Sequence, residues 1–163
     1  MKKITIKVFQ YEELNDQAKE KARNWFRQGA LDYNWYESTY EDAAQIGLKI
    51  KEFDLYSRNI KGSFTKTEQQ VASLIVENHG KDCETFKTAQ KFLKDISKCE
   101  QNESDEEYQQ LCEEFLKSLL EDYLVMLQQE YEYFISDEQV AESIIANEYE
   151  FTEDGKRFNL VKN

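Results

Sequence analysis

The chain has 163 residues, 40% of them hydrophobic and 13% aromatic, and its 33 Asp and Glu against 21 Lys and Arg give a formal net charge of −12. So many aromatic side chains argue against a disordered acidic chain, which lacks the bulk to build a core, and the length suits one domain. No apolar run approaches the ~20 residues of a membrane-spanning helix.

Residues 2–9 alternate, with Ile4, Ile6 and Val8 on one face and Lys3, Thr5 and Lys7 on the other, which predicts a half-buried strand. The same stretch has neither the apolar h-region nor the cleavage site of a signal peptide, so a cytoplasmic location in a bacterial host is expected. Asn15 or Asp16 caps a predicted helix running to about Gln28, with Leu14, Ala18, Ala22, Trp25 and Phe26 as its stripe; Gly29 suits the left-handed position that ends it. A second helix is predicted over 33–46, carrying Trp35, Tyr36, Thr39, Tyr40, Ala43 and Ile46 and ended by Gly47. Residues 48–56 and 59–65 read as two strands, and the phase shift between Ile50 and Phe53 predicts a bulge.

Thr67 opens a short helix to Asn78, stopped at Gly80, and a helix over 82–98 follows with Cys83, Phe86, Ala89, Leu93 and Ile96 as its expected core face. Residues 99–104 connect to the longest element, about 105–135, which Ser104 caps with Glu107 three residues on. Its stripe runs through Tyr108, Leu111, Cys112, Phe115, Leu119, Leu120, Tyr123, Leu127, Tyr131 and Phe134. Ser136 caps a last helix over 137–147, with Gln139 three residues later. The end of the chain reads as a hairpin with Asp154 and Gly155 central in a type I′ turn, pairing Phe151 with Phe158, Tyr149 with Leu160 and Glu153 with Lys156. The expected fold is α+β and mostly helical, in a single domain over 1–163. Its parts are an α+β portion 1–66, a helical portion 67–147 and a hairpin 148–161 returning to one small antiparallel sheet.

The chemistry-bearing residues are few. No glycine-rich phosphate loop, nucleophile elbow, zinc-protease motif or calcium loop is present. The single histidine, His79, precedes Gly80 at a helix end, where a cap is the expected role. Cys83, Cys99 and Cys112 are too widely spaced for a metal knuckle and are expected to be reduced thiols. Neither a cofactor nor a metal nor an enzymatic activity is expected. Trp25, Phe26, Tyr33, Trp35, Tyr36 and Tyr40 could stack on bases, but with Arg23 and Arg27 as the only nearby cations a core role is favoured.

Charge carries the functional signal. Residues 103–163 hold 17 acids and 4 bases, whereas residues 1–102 hold 16 and 17. Such a block repels nucleic acid and attracts basic surfaces. On the long helix Glu107, Glu114 and Glu121 recur every seven residues, with Glu103, Glu106, Glu113 and Glu132 beside them, and the next helix adds Asp137, Glu138 and Glu142. Together these make a candidate partner-binding face that imitates a phosphate backbone. The competing explanation is internal: Lys87, Lys91, Lys94 and Lys98 lie on one side of the preceding helix, where they could pair with these acids.

Three segments, FQYEELNDQAKEKARNWF (9–26), WYESTYEDA (35–43) and SDEQVAESIIANEYEFTEDGKRF (136–158), resemble a largely uncharacterised family of small phage- and prophage-encoded proteins. The likeness covers both ends, is most specific at Ala146, Asn147, Glu148, Tyr149, Phe151 and Gly155, and departs at 52–64, where only Gly62, Ser63 and Phe64 are similar. It implies a mobile-element origin and no reaction. With the charge asymmetry, it leads to an expected inhibitor of a host nucleic-acid-directed defence complex, CRISPR effectors being the obvious class. Such an inhibitor would act by DNA mimicry on a basic groove. The alternative is an acidic antitoxin-like regulator of a basic toxin.

Overall fold

A computed structural model describes residues 1–30, 34–99 and 105–160, with Ala30 described through its backbone alone. Among the described residues the order is β1 (Phe9–Gln10), a 3-10 turn (Tyr11–Glu13), α1 (Asp16–Ala30), α2 (Glu37–Gln45), β2 (Leu48–Asp54), β3 (Asn59–Phe64), α3 (Glu68–Asn78), α4 (Glu84–Cys99), α5 (Asp105–Phe134), α6 (Asp137–Ala146) and β4 (Glu150–Phe151). The α+β class and the helical majority are as expected. The strands form two separate antiparallel pairs, β1 with β4 and β2 with β3, in place of one shared sheet. The chain gathers into two compact units, residues 1–35 with 131–163, and residues 36–130.

The first unit closes around Tyr11, Leu14, Ala18, Ala22, Val140, Ile144 and Phe151. Asn15 is the residue that caps α1, its side-chain oxygen accepting from Ala18 N–H at 2.8 Å. Gly29 does not end α1, which carries on to Ala30. Ser136 accepts from Gln139 N–H and starts α6 as the sequence predicts. Trp25 packs edge-on against Tyr149 and Phe151, with centroids 5.3 and 5.9 Å apart, and lies partly buried against the core cluster, in line with the favoured core role. Arg157 covers this group with its guanidinium, 4.8 Å from the Tyr149 ring centre.

Two further expectations fail in this unit. The strand over 2–9 shrinks to Phe9–Gln10, and Ile4, Ile6 and Val8 are 79%, 57% and 37% exposed. Phase explains it: Phe9 faces the core cluster, so period-two alternation sends Ile4, Ile6 and Val8 to the opposite side with exposed Gln10. The C-terminal turn is also one residue longer than predicted. Gly155 N–H donates to Thr152 O and Thr152 N–H to Lys156 O, both at 2.9 Å, while Phe151 lies across from Arg157 and not Phe158. Only Gly155, at φ +87, has a positive φ in the loop, and a type I′ turn needs two such residues. The loop is therefore a three-residue one, a type I turn followed by a left-handed glycine.

The second unit has the larger core, built from Ile46, Leu48, Ile50, Val71, Ile75, Ala89, Phe92, Ile96, Phe115, Leu119 and Tyr123 among others. The helix predicted over 33–46 is shorter, Glu37–Gln45, with Gly47 at φ +85 just beyond its end and Tyr33 outside the described residues. β2 and β3 pair from Leu48↔Phe64 to Asp54↔Asn59, with the predicted bulge falling between Ile50 and Glu52. Thr67 and Gln70 form a reciprocal capping box at the start of α3. The buried face of α4 is Thr85, Ala89, Phe92 and Ile96, one step round from the predicted one. Cys83 lies exposed before the helix, and Phe92 stacks on Phe115 with centroids 4.4 Å apart. The 30 residues of α5 make a rod about 45 Å long; of the predicted connection 99–104, Cys99 instead ends α4, and 100–104 with the Ser104 cap lie outside the described residues.

Candidate functional site

The predicted acidic face divides between the two units. In the second, Glu106, Glu107, Glu113, Glu114 and Glu121 are all exposed on α5. Glu107, Glu114 and Glu121 line the groove between α4 and α5. One stretch of it, about 300 Å³, is shared by Glu114 and Glu121 with Lys91, Asp95 and Lys117. The next, about 450 Å³, joins Glu107 and Glu114 to Lys98 and Asp95. Lysines and glutamates therefore meet across this groove as the competing explanation requires. Yet among the described residues no ion pair within 4.0 Å ties Glu114 or Glu121 to a lysine of α4, whose Lys87 pairs with Glu84 at 3.2 Å. Glu106 and Glu113 are not among the residues lining either stretch.

In the first unit Glu132, Asp137, Glu138 and Glu142 are exposed. Asp137 is already committed: its Oδ1 accepts from Arg27 Nη2 and lies 3.3 Å from Arg23 Nε. The hydrogen bond from Arg27, with Arg23 beside it, holds this carboxyl below the usual carboxylate range. Asp137 thus ties α6 to α1, and its charge is partly offset by Arg23 and Arg27. Glu103 lies outside the described residues.

A second arrangement was not legible in the sequence. Within the second unit a cleft of about 620 Å³ is lined by Asp42, His79, Cys83, Thr85, Asp122, Val125 and Met126, with Asn78, Gly80, Glu84 and Gln129. Tyr123 is fully buried and donates from its hydroxyl to Asp42 Oδ2 at 2.8 Å. Burial, then the bond to Asp42, raises its phenol far above the ordinary range. His79 shares a 2.6 Å hydrogen bond between Nδ1 and Thr85 Oγ1, and its Nε2 is 4.0 Å from Asp42 Oδ2. Asp122 accepts from Thr88 Oγ1 at 2.6 Å, and burial raises its carboxyl above the usual value.

This cluster links α2, α4 and α5 through hydrogen bonds within the second unit. Neither ring nitrogen of His79 bonds to Cys83, so the imidazole is not set to activate that thiol. His79 is the C-terminal cap residue of α3, as the sequence predicts, and its side chain also bonds Thr85 at the start of α4 with Asp42 of α2 nearby. No sequence spacing could have shown this, because the partners are separated by up to 81 residues. Among the described residues no group of three His, Cys, Asp or Glu side chains is placed to hold a metal ion, and no helix is long and apolar enough to cross a membrane. No family model, curated protein or solved structure matches the chain.

Proposed function

We propose that this protein is a non-enzymatic inhibitor carried by a phage or other mobile element, which occludes a basic nucleic-acid groove of a host defence complex with the carboxylates of α5. One observation carries the reading: over Asp105–Phe134 nine Asp and Glu stand against the single Lys117, and eight of the nine are exposed. The helix holds them at fixed spacing along a rigid rod. A groove built for a phosphate backbone selects spaced negative charge before it selects sequence.

Glu106 and Glu113 lead this surface, with Glu107, Glu114 and Glu121 behind them at the groove. Long-range attraction between the acidic rod and a basic groove speeds encounter, so association and not dissociation carries most of the charge effect. The resemblance of residues 9–26, 35–43 and 136–158 to phage-encoded proteins supports the mobile-element origin.

The test is capture of partners from host lysate by the tagged full chain at low salt, followed by elution with duplex DNA or RNA. A basic nucleic-acid-binding protein that is retained and then released by nucleic acid supports the reading. Retention of a small basic toxin encoded beside the gene would favour the antitoxin instead. A retained partner that nucleic acid does not displace contradicts groove mimicry.

A further inference from the structure

Residues 2–8 have the sequence of a strand and no strand to pair with. Among the described residues none of their backbone groups makes a hydrogen bond, and all eight residues before β1 are exposed. The reason lies one residue on. β1 pairs with β4 through Phe9↔Phe151 and Gln10↔Glu150, and the next step of that ladder would set Val8 beside Thr152. At Thr152 the chain instead turns back, its N–H donating to Lys156 O. The ladder stops, and residues 2–8 are left without a strand partner, with Ile4, Ile6 and Val8 exposed. Unpaired backbone N–H and C=O groups on a segment of strand sequence are a template for pairing with another strand.

We propose that residues 3–9 pair antiparallel with the same residues of a second copy of the chain, about a two-fold axis at Ile6. This register follows from the side chains. Centred on Thr5, the pairing would set Lys3 against Lys7, a destabilising like-charge pair. Centred on Ile6, it sets Ile6 against its own copy, Ile4 against Val8, Thr5 against Lys7 and Lys3 against Phe9. Six apolar side chains then share one face, and no lysine faces a lysine. A two-fold interface of this type is self-complementary by construction.

Charge selects the same occupant. Residues 1–8 contain Lys2, Lys3 and Lys7 and no acid, whereas the rest of the chain holds 33 acids and 18 bases. In this register Lys2 falls opposite Gln10, next to Glu12 and Glu13 of the second copy, which are exposed. The ladder also has a natural end there, because Gln10 N–H is already taken by Glu13 Oε2 at 2.7 Å. A basic target would repel this segment, so the docking of residues 2–8 is independent of the partner surface on α5.

Sedimentation of the full chain from low micromolar to several hundred micromolar tests the pairing, read together with amide exchange of residues 2–8. A reversible dimer is expected, with alternate amides among residues 4–8 slowing as it fills. Ile6→Asp sets two carboxylates face to face at the axis and should weaken the dimer at least tenfold. Because Ile6 is exposed in the monomer, the variant's circular dichroism and melting at low concentration should match the parent. Ile6→Cys, under mild oxidation, should yield a disulfide joining the two substituted positions. A chain that stays monomeric throughout overturns the proposal. So does a dimer that survives Ile6→Asp, or slowed amides at low concentration that mark a partner within the same chain.

Discussion

Gly155 lies against the backbone of Ala18: a Cβ placed on it would come within 2.2 Å of the Ala18 carbonyl oxygen and 2.8 Å of its carbonyl carbon. The C-terminal loop is thereby seated on α1, and Gly155 is buried although its neighbours Glu153, Asp154 and Lys156 are exposed. The same residue answers two demands, a φ of +87 and a close approach to a helix.

Those two demands can be separated by substitution. Gly155→Asn keeps a side chain that tolerates the left-handed region but adds the Cβ. If φ alone mattered, Asn would cost little; with Ala18 in the way, it should lower stability by at least about 2 kcal/mol, in the range of a forced backbone shift. Gly155→Val should cost more, because a β-branched residue adds about 1–2 kcal/mol at positive φ. Chemical denaturation reads both, and an unchanged midpoint for Asn would remove the Ala18 contact from the account.

Asp122 should make the fold less stable as pH rises. Its folded carboxyl value is raised, by burial first and against the bond from Thr88. The native state therefore holds this proton more tightly than the unfolded chain, whose value is about 3.9. Its contribution is favourable at low pH and is lost as pH climbs from the unfolded value through the folded one. Asp122→Asn can still accept from Thr88 and should raise the melting temperature near neutral pH. The gain should fade as pH falls towards the unfolded carboxyl value. A variant less stable than the parent at neutral pH would contradict this sign.

Self-repulsion along α5 should respond to salt. With nine acids and one base on that helix, raising ionic strength from low to physiological shortens the screening length to about 8 Å and should raise the melting temperature. A melting temperature that falls over the same range would mean that attraction between the α4 lysines and the groove glutamates outweighs repulsion among the acids.

Much of the fold was legible because its signals are local. The Thr67–Gln70 capping box, the Ser136 cap, the bulge after Ile50 and the stripe of α5 are each written within a few residues. What was not legible depends on contacts far apart in sequence. The alternation over 2–9 predicts a strand but cannot show which face a core will use, and the core uses Phe9. The Asp-Gly pair predicts a tight hairpin, yet it is the seat on Ala18 that accompanies a longer loop. Of the acidic face, exposure was legible and allocation was not: Asp137 is held by Arg23 and Arg27, and Glu107, Glu114 and Glu121 turn towards a groove that also holds lysines. The cluster of Asp42, His79 and Tyr123 draws on three elements, and no single segment announces it.

The central claim is that the outward carboxylates of α5 contact a basic surface, and reversal of two of them tests it most directly. Glu106→Lys with Glu113→Lys changes exposed positions outside the α4–α5 groove, and Lys is as good a helix former as Glu. Reversing Glu107, Glu114 and Glu121 instead would crowd new lysines beside Lys91, Lys98 and Lys117 and confuse folding with binding. The measurement is the amount of partner captured from host lysate by the double variant relative to the parent, at matched melting temperature and across a salt series. The account predicts an unchanged fold, capture reduced at least tenfold and the loss greatest at low salt. A double variant that folds normally and captures the same partner in full would contradict it.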